Sequence, residues 1–270
     1  MLKKMIKSYG KILMKYTFWI GAAGIFLIMA IDSEMLLDMS EQSWEQSGQY
    51  TDIMMKLEGI FYVGGYFKLI LILVTGGFAV WFCTEWNSGV VPQLVRRWGI
   101  KKYSLCYTVL AAISGGGMAV VGALAYILYV GRYLKVVNYD GLDYYVNRYS
   151  YAYAVGDGHQ NIALFFVILT LFITGALAAV ITLCFSTLTT NKYIVMIMPY
   201  LVFEIYQEIA KSIRLDDRYR IDFYFLGKQN IGNSYFSTIV IYIGIITGIL
   251  LGGYLIFSKG LRRKLHYEKY

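Results

Sequence analysis

Two prolines, two histidines and three cysteines are all that 270 residues hold of these types, and only 16% of the chain is charged. Each shortage removes a class of protein. Cys83, Cys106 and Cys184 lie in or beside apolar runs without ligand spacing, and His159 and His266 are the only histidines near to help. Neither a zinc site nor a disulfide framework is expected, and the cysteines read as packing residues. No G-x-x-x-x-G-K-[ST] loop, H-E-x-x-H helix or G-x-S-x-G elbow occurs. The phosphate cradle and the hydrolytic machinery those patterns encode are therefore missing, and an enzyme is not expected.

What is abundant is apolar and aromatic surface. At 58% hydrophobic, with 17% aromatic residues and 26 tyrosines, the chain has more apolar side chain than a globular core of this size hides, and a lipid-facing surface takes the excess. Runs long enough to cross the roughly 30 Å hydrocarbon core fall at 16–31, 61–82, 105–130, 162–183, 193–209 and 236–257. The expected fold is an all-α membrane protein of six transmembrane helices. An amphipathic helix over 1–15 precedes them, the transmembrane domain fills 16–257, and a basic tail follows at 258–270.

The net charge of +8 is distributed in clusters beside the apolar runs, with no continuous basic face, so membrane orientation accounts for it better than nucleic acid. One side collects Lys3, Lys4, Lys7, Lys11 and Lys15, then Arg96, Arg97, Lys101 and Lys102, then Lys192, then Lys259, Arg262, Arg263, Lys264 and Lys269. The other opens with Asp32, Glu34, Asp38, Glu41, Glu45, Asp52 and Glu58 against a single base, Lys56. By the bias of basic residues toward the cytoplasm, both termini are expected there, in a multi-pass protein of a bacterial-type plasma membrane. The loop carrying Lys211, Arg214, Arg218, Arg220 and Lys228 runs against this assignment.

At the amino terminus Leu2, Met5, Ile6, Tyr9, Ile12, Leu13 and Tyr16 recur at spacings of three and four, with lysines on other faces, which predicts a helix lying in the lipid interface. Anchoring on anionic lipid and a specific docking role both fit it. Between the second and third runs, Glu85–Tyr103 is too polar to span and too apolar for a plain linker, and it reads as a short helix bracketed by Gly89 and Gly99. Its apolar residues suit the groove of a partner, while an ordinary basic loop remains the alternative.

An acidic residue closing the second run, a glycine, and an Arg-Arg-x-Gly-x-x-x-Tyr entry to the third (Glu85, Gly89, Arg96-Arg97-Trp98-Gly99 and Tyr103) together resemble the permease subunit of ABC-2 type transporters, nearest in size and layout to compact peptide, bacteriocin and toxin exporters. The resemblance implies that a separate ATPase binds ATP and Mg, with no cofactor in this chain. It further implies that Glu85, Val90, Val91, Pro92, Leu94, Arg96, Arg97 and Trp98 couple the two subunits, and that two permeases work together, with a homodimer favoured over a heterodimer. It places short closing helices at 211–235. Export of amphipathic or antimicrobial peptides is the expectation for such a layout. An ATP-independent carrier or a membrane scaffold and sensor is the alternative.

Charged residues inside apolar runs are costly and point to function or to pairing. Lys68 and Glu204 sit at similar depths from the same side; a pair or a cavity lining is one reading, and a lone snorkelling Lys68 with glutamates meeting water near the helix end is the other, with Glu208 one turn further out. Gly244, Gly248 and Gly252 repeat every fourth residue and predict close helix packing, within one bundle in preference to a dimer seam. Gly115-Gly116-Gly117, Gly122, Gly64-Gly65 and Gly76-Gly77 read the same way, the last two pairs with capacity to bend.

Overall fold

Chains in lipid must satisfy every backbone N–H and C=O internally, so long apolar runs fold as helices. The computed structural model describes residues 16–44, 52–54, 56–57, 60, 67–137, 151–215 and 234–267, with side chains described except at 32–44, 67 and 267. Its principal elements in chain order are α1 (Tyr16–Trp44), α2 (Phe67–Leu73), a 3₁₀ turn (Val74–Gly76), α3 (Phe78–Asn87), α4 (Val90–Trp98), α5 (Ile100–Val130), α6 (Ala152–Gly156), α7 (Gln160–Phe185), α8 (Lys192–Ser212) and α9 (Tyr235–Tyr267). No strand occurs among the described residues. The predicted helix over 1–15, Gly64-Gly65, and most of the 211–235 segment lie outside the described residues.

Four helices, α5, α7, α8 and α9, are long and apolar enough to cross a membrane, and α2 with α3 makes a fifth if the bent pair is one span. Such a set of helices fits a helical membrane protein. The boundaries differ from the expected ones for physical reasons. Within α1 the apolar part is Tyr16–Ile31, too short to rank with the four, although the helix itself runs on to Trp44. The run expected at 61–82 is described only from Phe67, is broken by 47°, and continues to Asn87. The basic segment from 258 is no separate tail: α9 stays helical to Tyr267 because Phe257, Leu261 and Leu265 recur every fourth residue and pack on the bundle.

Helices α5 and α7 form the centre. Of the most apolar stretch of each, 61% is buried, against 22% for α8 and 11% for α9, which are peripheral. Glycine allows the central approach: a Cβ on Gly175 would fall 2.5 Å from the Gly115 carbonyl oxygen, and one on Gly116 would fall 2.7 Å from that of Phe172. Gly122 does the same for α1, where a Cβ would lie 2.8 Å from the Ala22 carbonyl oxygen. Hydroxyls inside these helices bond back one turn, Thr170 to Phe166 O at 3.0 Å, Thr174 to Thr170 O at 3.0 Å and Thr182 to Ala178 O at 3.0 Å, so they are buried without an unmet donor.

The break between α2 and α3 is built into neighbouring helices. Phe78 N–H, at the start of α3 where no intrahelical acceptor exists, donates to Ser114 Oγ of α5 at 3.1 Å. Thr75 Oγ1 donates to Ile72 O at 2.6 Å and reaches Met196 O of α8 at 3.4 Å. A Cβ at Gly77 would lie 2.7 Å from Ser114 Oγ, so the glycine is what lets α5 come this close.

Candidate functional site

Two polar assemblies stand out in a largely apolar molecule. The first is at the end of the bundle formed by the close of α3, by α4, by the α7–α8 turn and by the last turns of α9. Gly89 (φ +71°) and Gly99 (φ +79°) hold left-handed backbone on either side of α4, a conformation that costs other residues about 1 kcal/mol or more. They let a nine-residue helix turn sharply between α3 and α5. Val91 and Val95 face inward and are buried, Pro92, Leu94 and Trp98 are half-buried, and Val90, Arg96 and Arg97 are exposed. Lys101 and Lys102 extend the basic surface onto α5, and Lys192, Lys259, Arg262 and Arg263 are exposed on α8 and α9.

Glu85 does not join that exposed surface. It is buried, accepting from the Tyr107 hydroxyl of α5 and from Trp81 Nε1 at 3.1 Å, while Ser88 Oγ donates to its carbonyl at 3.0 Å. Around it the rings of Phe78, Phe82, Tyr103, Tyr107 and Phe257 stack and meet edge-on, with Tyr103 and Tyr107 centroids 4.7 Å apart. The charge expected at the docking surface is therefore a buried link between α3 and α5. Lys264, expected in a solvated tail, instead turns inward: its Nζ donates to Ser186 O at 2.9 Å and lies 4.5 Å from the Trp86 ring centroid.

The second assembly is within the helices. Lys68 Nζ of α2 and Glu204 Oε1 of α8 are 2.6 Å apart, with about a third of each side chain exposed (31% and 27%). The contact is an ion pair without the alignment of a directed hydrogen bond. Glu208, one turn on, does not take part; it pairs with Lys211 at 2.7 Å on the exposed surface. Glu204 is eight residues from the end of α8, about 12 Å along its axis.

The glycine row is not where the described helices meet. Among the described residues nothing lies within 4 Å of a Cβ placed on Gly244, Gly248 or Gly252. The close contacts of α9 come from Gly253 against Val180 and Thr108, and from Gly260 against Thr187.

Sequence reasoning missed Tyr107, Trp81 and the inward turn of Lys264. The spacing of Phe257, Leu261 and Leu265 was the available signal for the last. It also missed a buried hydroxyl cluster at the opposite end of the bundle. There the Tyr151, Thr170 and Tyr242 hydroxyls lie within hydrogen-bond reach of one another, Thr170 Oγ1 and Tyr242 Oη 2.6 Å apart, and Thr170 and Tyr242 share the Phe166 carbonyl as an alternative acceptor at 3.0 and 3.1 Å. Tyr153 adds a 2.8 Å bond to Thr238, so the segment before α7 is tied to α9.

Among the described residues no group of three His, Cys, Asp or Glu side chains is placed to hold a metal ion. No protein-family model, curated protein or solved structure matches this chain.

Proposed function

We propose that this chain is the transmembrane subunit of an ATP-driven ABC-type exporter, with six crossings and both termini in the cytoplasm, moving amphipathic peptides outward. A separate ATPase subunit supplies ATP and Mg chemistry, and a second copy of the chain completes the pathway. The observation that carries the reading is α4: a short helix set off by two left-handed glycines, apolar inward at Val91 and Val95 and basic outward at Arg96 and Arg97. Such an element transmits a push on its outer face to the helices that frame it, because both of its ends are pivots and its inner face is packed.

Support for transmission comes from what α4 is joined to. α3 precedes it and α5 follows it, and Glu85 and Tyr107 tie those two helices together. The test is co-purification with a candidate ABC-type ATPase subunit, followed by substrate-stimulated ATP hydrolysis. Deleting Pro92–Trp98 is expected to abolish capture and stimulation, and unchanged transport by that variant overturns the reading.

The broken α2–α3 helix beside an intramembrane ion pair favours a second reading, an ATP-independent carrier, since discontinuous helices line the sites of such proteins. Uptake driven by protons or sodium without any ATPase would select it.

A further inference from the structure

We propose that Lys68 and Glu204 form an exchangeable charge site, at which the ammonium or guanidinium group of an amphipathic cation displaces Lys68 from the Glu204 carboxylate. The inference deepens the exporter reading for its choice of substrate and rests on that reading only for the direction of movement.

Three observations meet at this pair. The first is access: about a third of each side chain is exposed, although Glu204 Oε1, the atom that meets Lys68, is itself buried. Because a charged group in lipid carries a cost of several kcal/mol, the open side of the pair belongs to water or a polar ligand.

The second is the character of the bond. Lys68 meets Glu204 without directed hydrogen-bond geometry, so a competing cation that aligns better recovers the attraction to Glu204, and the displaced Lys68 ammonium turns to the water that reaches the pair. Around the pair the surface is amphipathic. Glu208 and Lys211 continue the charge one turn further along α8, while Leu201, one turn before Glu204 on the same face, exposes apolar surface. A ligand with one cationic group and an apolar face matches both.

The third is that the helix carrying Lys68 is interrupted and the continuous helix carrying Glu204 holds a proline. α2 ends in the 3₁₀ turn and the 47° bend toward α3, and α8 contains Pro199, whose ring removes a backbone donor five residues before Glu204. Thr75, in the turn after α2, lies 3.4 Å from Met196 O of α8, near Pro199. Opening of the pair is therefore a local movement of α2 against α8 and leaves the α5–α7 centre in place.

Charge exchange separates this site from a structural bridge. The full chain, purified in uncharged detergent, is titrated with a fluorescent amphipathic helical peptide carrying lysines, and with two counterparts carrying glutamines or glutamates at those positions. The lysine peptide is expected to bind about tenfold more tightly than the glutamine one, the factor for one modest charge contact. Glu204→Gln, close to isosteric, is expected to erase that difference, and the double exchange Lys68→Glu with Glu204→Lys to transfer the preference to the glutamate peptide. Circular dichroism and gel filtration establish that each variant is folded; if the double exchange does not fold, Lys68→Met decides in its place, with tighter binding of the lysine peptide expected.

Equal binding of all three peptides, or a lysine preference that persists in Glu204→Gln, overturns the proposal. Failure of ATPase capture with the charge preference intact removes the exporter reading and leaves this site standing.

Discussion

The carbonyl of Gly115 in α5 and the backbone of Gly175 in α7 face each other across the centre of the bundle, each occupying the space in which the other would need a Cβ. Backbone is the least adaptable neighbour a new side chain can have. Gly115→Val or Gly175→Val must therefore push the two helices apart, and overpacking of this kind costs about 1–3 kcal/mol or more. Thermal unfolding in detergent is expected to show the loss for both, whereas Gly117→Ala, whose nearest neighbour is the Phe18 ring at 3.8 Å, should be close to neutral.

The Glu85 link makes a different demand. Replacing Glu85 by Ala takes one acceptor from both Tyr107 and Trp81 in a buried setting, which costs about 1–3 kcal/mol. Tyr107→Phe removes only one partner and is expected to cost less. Because the two residues share one interaction, the double variant should lose less than the sum of the singles, and a thermal double-mutant cycle reads that difference. Additive losses would mean that the bond between α3 and α5 contributes nothing of its own.

Tyr151 holds left-handed backbone (φ 61°, ψ 41°) and yet is fully buried, its hydroxyl bonded to Thr170 and Tyr242. Burial pushes its phenol above the ordinary value of 10. A phenol that ionises later in the folded state stabilises that state fully below the unfolded value, and the contribution fades as pH rises past about 10. The melting temperature is expected to fall in that window, and Tyr151→Phe should flatten part of the fall while lowering stability at neutral pH by about 1 kcal/mol for the lost bonds. An unchanged pH profile in Tyr151→Phe would show that other tyrosines carry the alkaline loss.

How far the sequence anticipates this molecule depends on the range of the interaction. Helix existence is local: apolar length and the two glycines around α4 are enough, and Gly76-Gly77 marks the place where α2 and α3 bend. Depth arithmetic puts Lys68 and Glu204 at one level and leaves pairing and snorkelling both open; the packing of α2 against α8 is what brings them to 2.6 Å. Glu85 escapes such reasoning. An acid at the end of an apolar run reads as solvated, and its burial depends on Tyr107, 22 residues away on a helix that must first pack against α3. Lys264 was misplaced for a similar reason: its charge suggested a tail, while the apolar i, i+4 row around it fixed a helix. The glycine row of α9 is the opposite case, a repeat that promises packing where nothing among the described residues meets it.

That row and its neighbour Gly253 give opposite expectations for one change. A Cβ at Gly244, Gly248 or Gly252 enters open space, and replacing glycine by alanine or leucine inside a helix gains up to about 1 kcal/mol of intrinsic propensity. Substitutions there should leave the melting temperature of the chain unchanged or slightly raised. Gly253→Leu places its Cβ against Val180 and Thr108, on α7 and α5, and is expected to destabilise by about 1–3 kcal/mol. Because the same helix, residue type and reporter serve both measurements, a shared response would point to the helix itself, while divergent responses locate the packed face of α9. If Gly248→Leu lowered stability as much as Gly253→Leu, the open face would have to be covered by something other than the described residues. The oligomeric state of the two variants by gel filtration with light scattering would then tell a second copy from bound lipid.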